Sequence, residues 1–254
     1  MKKHYYNSLS EFYADVKNTS GNYQYNEEST QDNPRFRGLS LSEIHRSKFS
    51  YKVGVEKLRT MKDFEFQRDE KIKYWDSFDG FDIDIDRMYS DLDFLRNERK
   101  VRKLPKTVDI FINVTENANI DYDLMLNKTY AALKIIDHLE TLGVRTALYA
   151  CISLAAYLPS GTEDMYLEIC IKQHSHDVNL GALCTAISPW FFRYWFFLWI
   201  KGHYSHIGFG IGQAHKIPLS ERQKGIVIDQ GMCLNLPGAN NFIDSIKLEN
   251  ISAA

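Results

Sequence analysis

At 254 residues, with 44% hydrophobic and 25% charged residues, the chain has an ordinary globular composition and enough length for one large domain or two small ones. A formal net charge of -2 argues against a protein whose main work is coating nucleic acid, because that mode depends on many Lys and Arg releasing counterions from phosphates. Cys151, Cys170, Cys184 and Cys233 are too widely spaced for a CxxC pair and lie mostly in apolar runs, so they read as buried, reduced thiols of a cytosolic protein.

The first part of the chain is polar and rich in Tyr and Asn. Ser-Leu-Ser-Glu occurs at Ser8–Glu11 and again at Ser40–Glu43. Each is a capping box that starts a short helix. Between them "NTSGNYQYNEESTQDNP" has turn chemistry and little apolar content, and a third helix is predicted over Val53 to Met61. The apolar faces of these helices are too few for a core of their own, so residues 1–107 are expected to be a helical, loop-rich region packed onto the rest.

In "FDGFDIDIDRMYSDLDF" Asp82, Asp84, Asp86 and Asp93 stand at calcium-loop positions, but Arg87 occupies the place of the required glycine, so alternation of buried and solvated faces is the favoured reading. The run "RNERKVRKLPK" holds six cations and one anion. Arg96, Arg99, Lys100, Arg102 and Lys103 are the residues that would contact nucleic acid, the alternative function; a solvated linker is the commoner role of such a run.

The composition shifts near Pro105, from 21 cations and 19 anions in 1–107 to 10 and 14 in 108–254. From there strands and helices alternate. Strands are predicted at Val108–Ile112, within Val144–Leu154, and at Met165–Lys172, His206–Phe209 and Gly225–Ile228. A helix spans Asp121 to Leu142 and stops at Gly143, and Phe242 to Leu248 is a weaker closing element. Leu180 to Ile200 is helical with an interruption at Ser188-Pro189; the second piece, "PWFFRYWFFLWI", reads as a buried helix capped by Ser188 and ended by Gly202. It is shorter than the roughly 20 residues of a membrane span and is broken by Arg193. Strands apolar enough for burial on both faces, alternating with helices, predict an α/β three-layer sandwich of Rossmann type with a largely parallel sheet over 108–254.

Ligands of such folds sit beyond the carboxyl ends of the strands, and "FINVTENAN" lies at one. Asn113, Thr115 and Asn117 there give Asn-x-Thr-x-Asn. A first strand ending in Asp-x-Ser-x-Ser, then a long helix and a second strand, is the signature of the von Willebrand factor A domain, and "VDIFINVTENANIDYDLMLNKTYAALKIIDHLETLGVRTALYAC" resembles that unit. The resemblance covers residues 108 to about 235. It implies a metal-ion-dependent adhesion site in which Asn113, Thr115, Asn117 and the distant Thr185 would hold Mg²⁺, although neutral Asn113 stands where the motif has a carboxylate. A turn capped by side chains is the simpler role for these residues.

With its helical N-terminal region and the "RFRG…SLSEI" and "DIDIDR" elements, the whole chain also resembles A-domain-like proteins of tailed bacteriophages. That likeness implies a phage-encoded, non-enzymatic interaction module of the host cytoplasm. Another protein is its expected partner, and other A-domain-like proteins imply an AAA+ ATPase of the MoxR type. The expected contact surface is the loop edge with Asn113, Glu116, Asn119 and Asp177. A zinc-dependent hydrolase is a further alternative, drawing on His174, His176, Asp177, His203 and His206. Gly208, Gly210 and Gly212 are read as glycines of a strand, since no phosphate-facing helix follows them.

Overall fold

The structure, a computed structural model, describes residues 1–19, 37–61, 72–76, 82–83, 95–99, 106–158, 160–204, 212–222 and 225–246, with the backbone alone for 72–76, 82–83, 95–99, 219 and 222. Residues 1–64 and 107–254 form one compact unit and residues 65–106 a second. The second unit contains an antiparallel sheet of β2 (Ile72–Asp76), β3 (Asp82–Ile83) and β4 (Leu95–Arg99), with β4 in the middle.

The main unit is α/β. Its N-terminal segment supplies β1 (Lys2–Tyr6), α1 (Leu9–Thr19), α2 (Leu41–Arg46) and α3 (Lys52–Arg59). Both capping boxes start helices: the Glu43 amide donates to Ser40 Oγ at 3.4 Å and the Glu11 amide to Ser8 Oγ at 3.1 Å. There follow β5 (Thr107–Asn113), α4 (Tyr122–Thr141), the long hairpin strands β6 (Arg145–Leu158) and β7 (Gly161–Lys172), and α5 (Leu180–Ala186). A π-helical stretch over Phe191–Phe196 runs into α6 (Phe197–Tyr204). The chain then gives β8 (Gly212–Ala214), α7 (Leu219–Arg222), β9 (Gly225–Ile228) and α8 (Leu236–Ser245).

The sheet order is β1-β7-β6-β5-β9, with β8 paired to β6. It is mixed and mostly parallel. β5 runs parallel to β6 and to β9, and β1 runs parallel to β7, while β6 is antiparallel to β7 and β8. The antiparallel hairpin departs from the parallel arrangement read from strand and helix alternation. Its connection is only two residues long, because Leu158 pairs with Gly161, and parallel strands need a crossover of a dozen residues or more. β1, "KKHYY", carries little apolar signal of a strand and gains its place by backbone pairing, His4 opposite Leu167.

Side chains alternate across β5. Ile110 and Ile112 join the large core, whereas Phe111 joins a smaller cluster with Cys151, Tyr166 and Ile217 on the other face. The buried apolar residues of α1, α4, α5, the π-helical stretch and α6 belong to the large core. Alanines at 131 and 132, fully buried, let α4 lie close to the sheet. Gly143, at φ +79°, ends α4 as predicted.

The segment "PWFFRYWFFLWI" is buried throughout, as its all-round apolar pattern implied. Ser188 caps it, its Oγ accepting from the Phe191 amide at 3.3 Å. Gly202 does not end it. It lies inside α6, where a Cβ would come 2.8 Å from Thr19 Oγ1, so the glycine serves close packing against the end of α1. Among the described residues no helix is long and apolar enough to cross a membrane.

Candidate functional site

β5 stops pairing with β6 at Asn113, opposite Cys151, although β6 continues to Leu158. The freed flank of β6 is filled by two other segments. The Val114 amide donates to Cys151 O at 2.8 Å, and Thr115 Oγ1 accepts the Ser153 amide at 2.9 Å, so a side chain completes what a strand would have bonded. The His215 amide donates to Ser153 O at 2.9 Å and leads β8 along the rest of the edge.

Asn113 is fully buried and its amide is committed at both ends. Nδ2 donates to His215 O at 2.8 Å and to Asp229 Oδ1 at 2.9 Å, while Oδ1 accepts the Thr115 amide at 3.0 Å. A carbonyl can only accept, so His215 O sets which end of the amide faces it. Asp229, just past β9, also accepts the amides of Ile217 at 3.0 Å and Gln230 at 2.8 Å on the same oxygen.

At the centre of this layer lies the ammonium of Lys128, a fully buried residue of α4. Nζ donates to Asn113 O at 2.9 Å, to Asp229 O at 3.0 Å and to Glu116 Oε1. Its three protons are thus all used. Glu116 Oε1 accepts the Gly231 amide as well, at 2.9 Å. Burial lowers the Lys128 pKa and Glu116 opposes that shift. One ammonium therefore ties together the loops that follow two adjacent parallel strands.

A second buried cation holds the outer part of the β5–α4 loop. Arg193, from the π-helical stretch, donates from Nη2 to Asn117 O at 3.0 Å and to Ile120 O at 2.6 Å. The loop closes on itself, with the Ile120 amide donating to Asn117 O at 3.0 Å, and hands over to α4 through Asp121, whose carboxylate caps the Leu124 amide at 3.0 Å. Residues 117–119 stay exposed above these supports. The loop after β9 lies beside them, because Asn127 Nδ2 donates both to Leu124 O at 3.2 Å and to Leu234 O at 3.3 Å.

These residues do not fit Mg²⁺. A hard divalent cation needs open oxygen ligands, including one or two carboxylates. Here the Asn113 and Thr115 side chains bond the backbone, Thr185 Oγ1 donates to Ser47 O at 2.8 Å, and the place among the loop oxygens is taken by an ammonium. No cluster of His, Cys, Asp and Glu suited to a metal occurs among the described residues.

Of the residues singled out from sequence, Asn113, Thr115 and Glu116 meet in one network, and Asn117 and Asn119 form its exposed rim. Asp177 lies in the loop between β7 and α5, in which His174 stands 3.0 Å from Asp109 near the start of β5. Thr185 is on α5, spent on Ser47. The histidines proposed for zinc are also dispersed: His174 lies 3.0 Å from Asp109, and His203 is 2.8 Å from Asp15. His206 and residues 208–211 lie outside the described residues, as do Asp84, Asp86, Asp93, Lys100, Arg102 and Lys103. Arg96 and Arg99 belong to β4 of the second unit.

Lys128, Arg193 and Asp229 join the site although none of them stands in its Asn-x-Thr-x-Asn motif. Lys128 did leave a signal, since it falls on the buried stripe of α4 with Met125, Ala132 and Ile135. A cation on that stripe needs partners inside.

Residues 1–252 match the family described as Domain of unknown function (DUF7192). No curated protein and no solved structure matches the chain.

Proposed function

We propose that this chain, which belongs to the DUF7192 family, is a non-enzymatic protein-interaction module built on a degenerate von Willebrand factor A-like domain. Its contact surface is the edge formed by the β5–α4 loop, centred on Asn117–Asn119 and flanked by the loop after β9. The observation that carries this reading is the double clamp beneath the edge: Lys128 and Arg193 hold main-chain oxygens at Asn113, Asn117 and Ile120 while the side chains of 117–119 face solvent. A rim fixed before contact loses little conformational freedom when a partner binds, which favours recognition.

Because the ammonium fills the place among the loop oxygens, contact is metal-independent. Lys128 and Glu116 are engaged with each other and the Asp229 carboxylate is taken up by Asn113 and backbone amides, which favours binding over catalysis. A phage origin, the host cytoplasm and an AAA+ ATPase partner rest on the resemblance of the sequence and extend the same reading.

The test is quantitative affinity capture from infected host cells with the wild-type chain and with Asn119→Arg. A defined protein set lost with Asn119→Arg, at unchanged melting temperature, is the expected result. Identical captured sets for the two chains would remove the edge from the account.

A further inference from the structure

We propose that Tyr13, Phe49 and Trp195 form an aromatic cage for a trimethylammonium group carried by a zwitterion, and that Lys48 closes this cage in the absence of the ligand. The Lys48 ammonium lies 4.4 Å from the centre of the Tyr13 ring, 5.1 Å from that of Trp195 and 5.5 Å from that of Phe49. All three distances are within the roughly 6 Å over which a ring face attracts a cation. The rings stand steeply to one another, Tyr13 to Phe49 at 87° and Tyr13 to Trp195 at 65°, so they wall the cation in from different sides rather than stacking with each other.

The walls differ in rigidity. Tyr13 and Trp195 are buried in the core, and the Tyr13 hydroxyl donates to Lys48 O at 2.7 Å. Phe49 is 50% exposed and forms the outer wall, through which a ligand can enter.

The occupant is held by rings alone. Among the described residues no carboxylate lies within ion-pair distance of Lys48, and the neighbouring charge is Lys17, of the same sign. A primary ammonium is strongly hydrated and gives up water to enter such a site, whereas a trimethylammonium group has no N–H to hydrate and fills a cage of ring faces better. Displaced Lys48 and Lys17 would then place two ammonium groups beside the cage, where a ligand carboxylate is favoured. The chemistry that fits is a trimethylammonium with a carboxylate close by. This site is separate from the loop edge, and its fate does not depend on that reading.

The test uses the full chain, with Trp fluorescence and calorimetric titration of glycine betaine, of tetramethylammonium, and of 3,3-dimethylbutyrate, which keeps shape and carboxylate but has carbon in place of the charged nitrogen. Saturable betaine binding is expected, with binding of the carbon isostere weaker by about tenfold or more. Phe49→Ala, a change at a half-exposed position, should abolish it at unchanged melting temperature. Lys48→Ala should tighten tetramethylammonium binding about fivefold or more, because the internal competitor is gone. No saturation by betaine up to about 50 mM with wild type, equal binding of the isostere, or a folded Lys48→Ala chain that binds tetramethylammonium no better than wild type would each overturn the proposal.

Discussion

Replacing Lys128 by Met keeps much of the side-chain volume and removes the charge, which isolates the electrostatic part of the clamp. Glu116 would keep the Gly231 amide but lose its ammonium, and the carbonyls of Asn113 and Asp229 would lose a donor at 2.9 and 3.0 Å. Removing one partner of a buried ion pair costs about 3–5 kcal/mol, because the other charge stays behind uncompensated. The donor lost by the two carbonyls is part of that range rather than an addition to it, because one ammonium serves all three acceptors. A loss of about 4 kcal/mol is expected for Lys128→Met, a large share of the roughly 5–15 kcal/mol that holds a domain together. In a chain of this size it lowers the melting temperature by about 10 °C.

The double variant Lys128→Met with Glu116→Gln removes both charges and should be more stable than Lys128→Met alone, with a coupling of about 2 kcal/mol. Urea unfolding followed by circular dichroism, at constant m, reads all four corners of the cycle. A Lys128→Met chain within about 1 kcal/mol of wild type, or strict additivity of the two changes, would refute an ammonium that holds the loops.

Arg193→Met should speed hydrogen exchange at the Ile120 amide and its neighbours while leaving exchange in β7 unchanged; uniform loss of protection would show a general core defect instead. Gly202→Ala is expected to destabilise by about 1–3 kcal/mol, measured by thermal unfolding, because its Cβ would press on Thr19. The side-chain hydrogen bond from Ser40, then the Ser40 amide, holds the Glu43 pKa below its ordinary value. A depressed acid contributes stability above its unfolded pKa and loses it as the pH falls through the folded one, so NMR titration should place Glu43 low in wild type and return it upward in Ser40→Ala. Burial pushes the Cys184 thiol up to about 12 and that of Cys233 up to about 11, and raises Cys151 and Cys170. A thiol-reactive probe at pH 8 should therefore label the native chain slowly and the unfolded chain quickly, and fast labelling of the native chain would contradict the burial.

The main elements of the α/β unit were legible where local signals agree with tertiary demands. The "TVDIFIN" strand, the long α4 with Asp121 before it and Gly143 after it, and both Ser-Leu-Ser-Glu starts appear where periodicity and capping place them. β1 was hidden because an edge strand can be specified by its neighbour's backbone rather than by its own side chains. Gly202 misled because a glycine after an apolar run marks a helix end by default, while close approach to Thr19 depends on a segment far away in sequence.

The candidate site was legible in position and hidden in mechanism. The end of β5 drew notice through Asn113, Thr115 and Asn117, yet two of those side chains cap backbone rather than ligate. Their organising charge comes from α4, fifteen residues from Asn113, and their outer clamp from an arginine 76 residues from Asn117. Spacing within the loop carries no trace of either.

Thermal unfolding of the purified chain in EDTA, and then in Mg²⁺ or Mn²⁺, tests the lysine-filled, metal-independent edge most directly. Identical midpoints are expected, for wild type as for Asn113→Ala and Thr115→Ala, each of which is lowered by its own lost hydrogen bonds. A midpoint raised by the cation in wild type, and no longer raised in those two variants, would put a metal where Lys128 now stands.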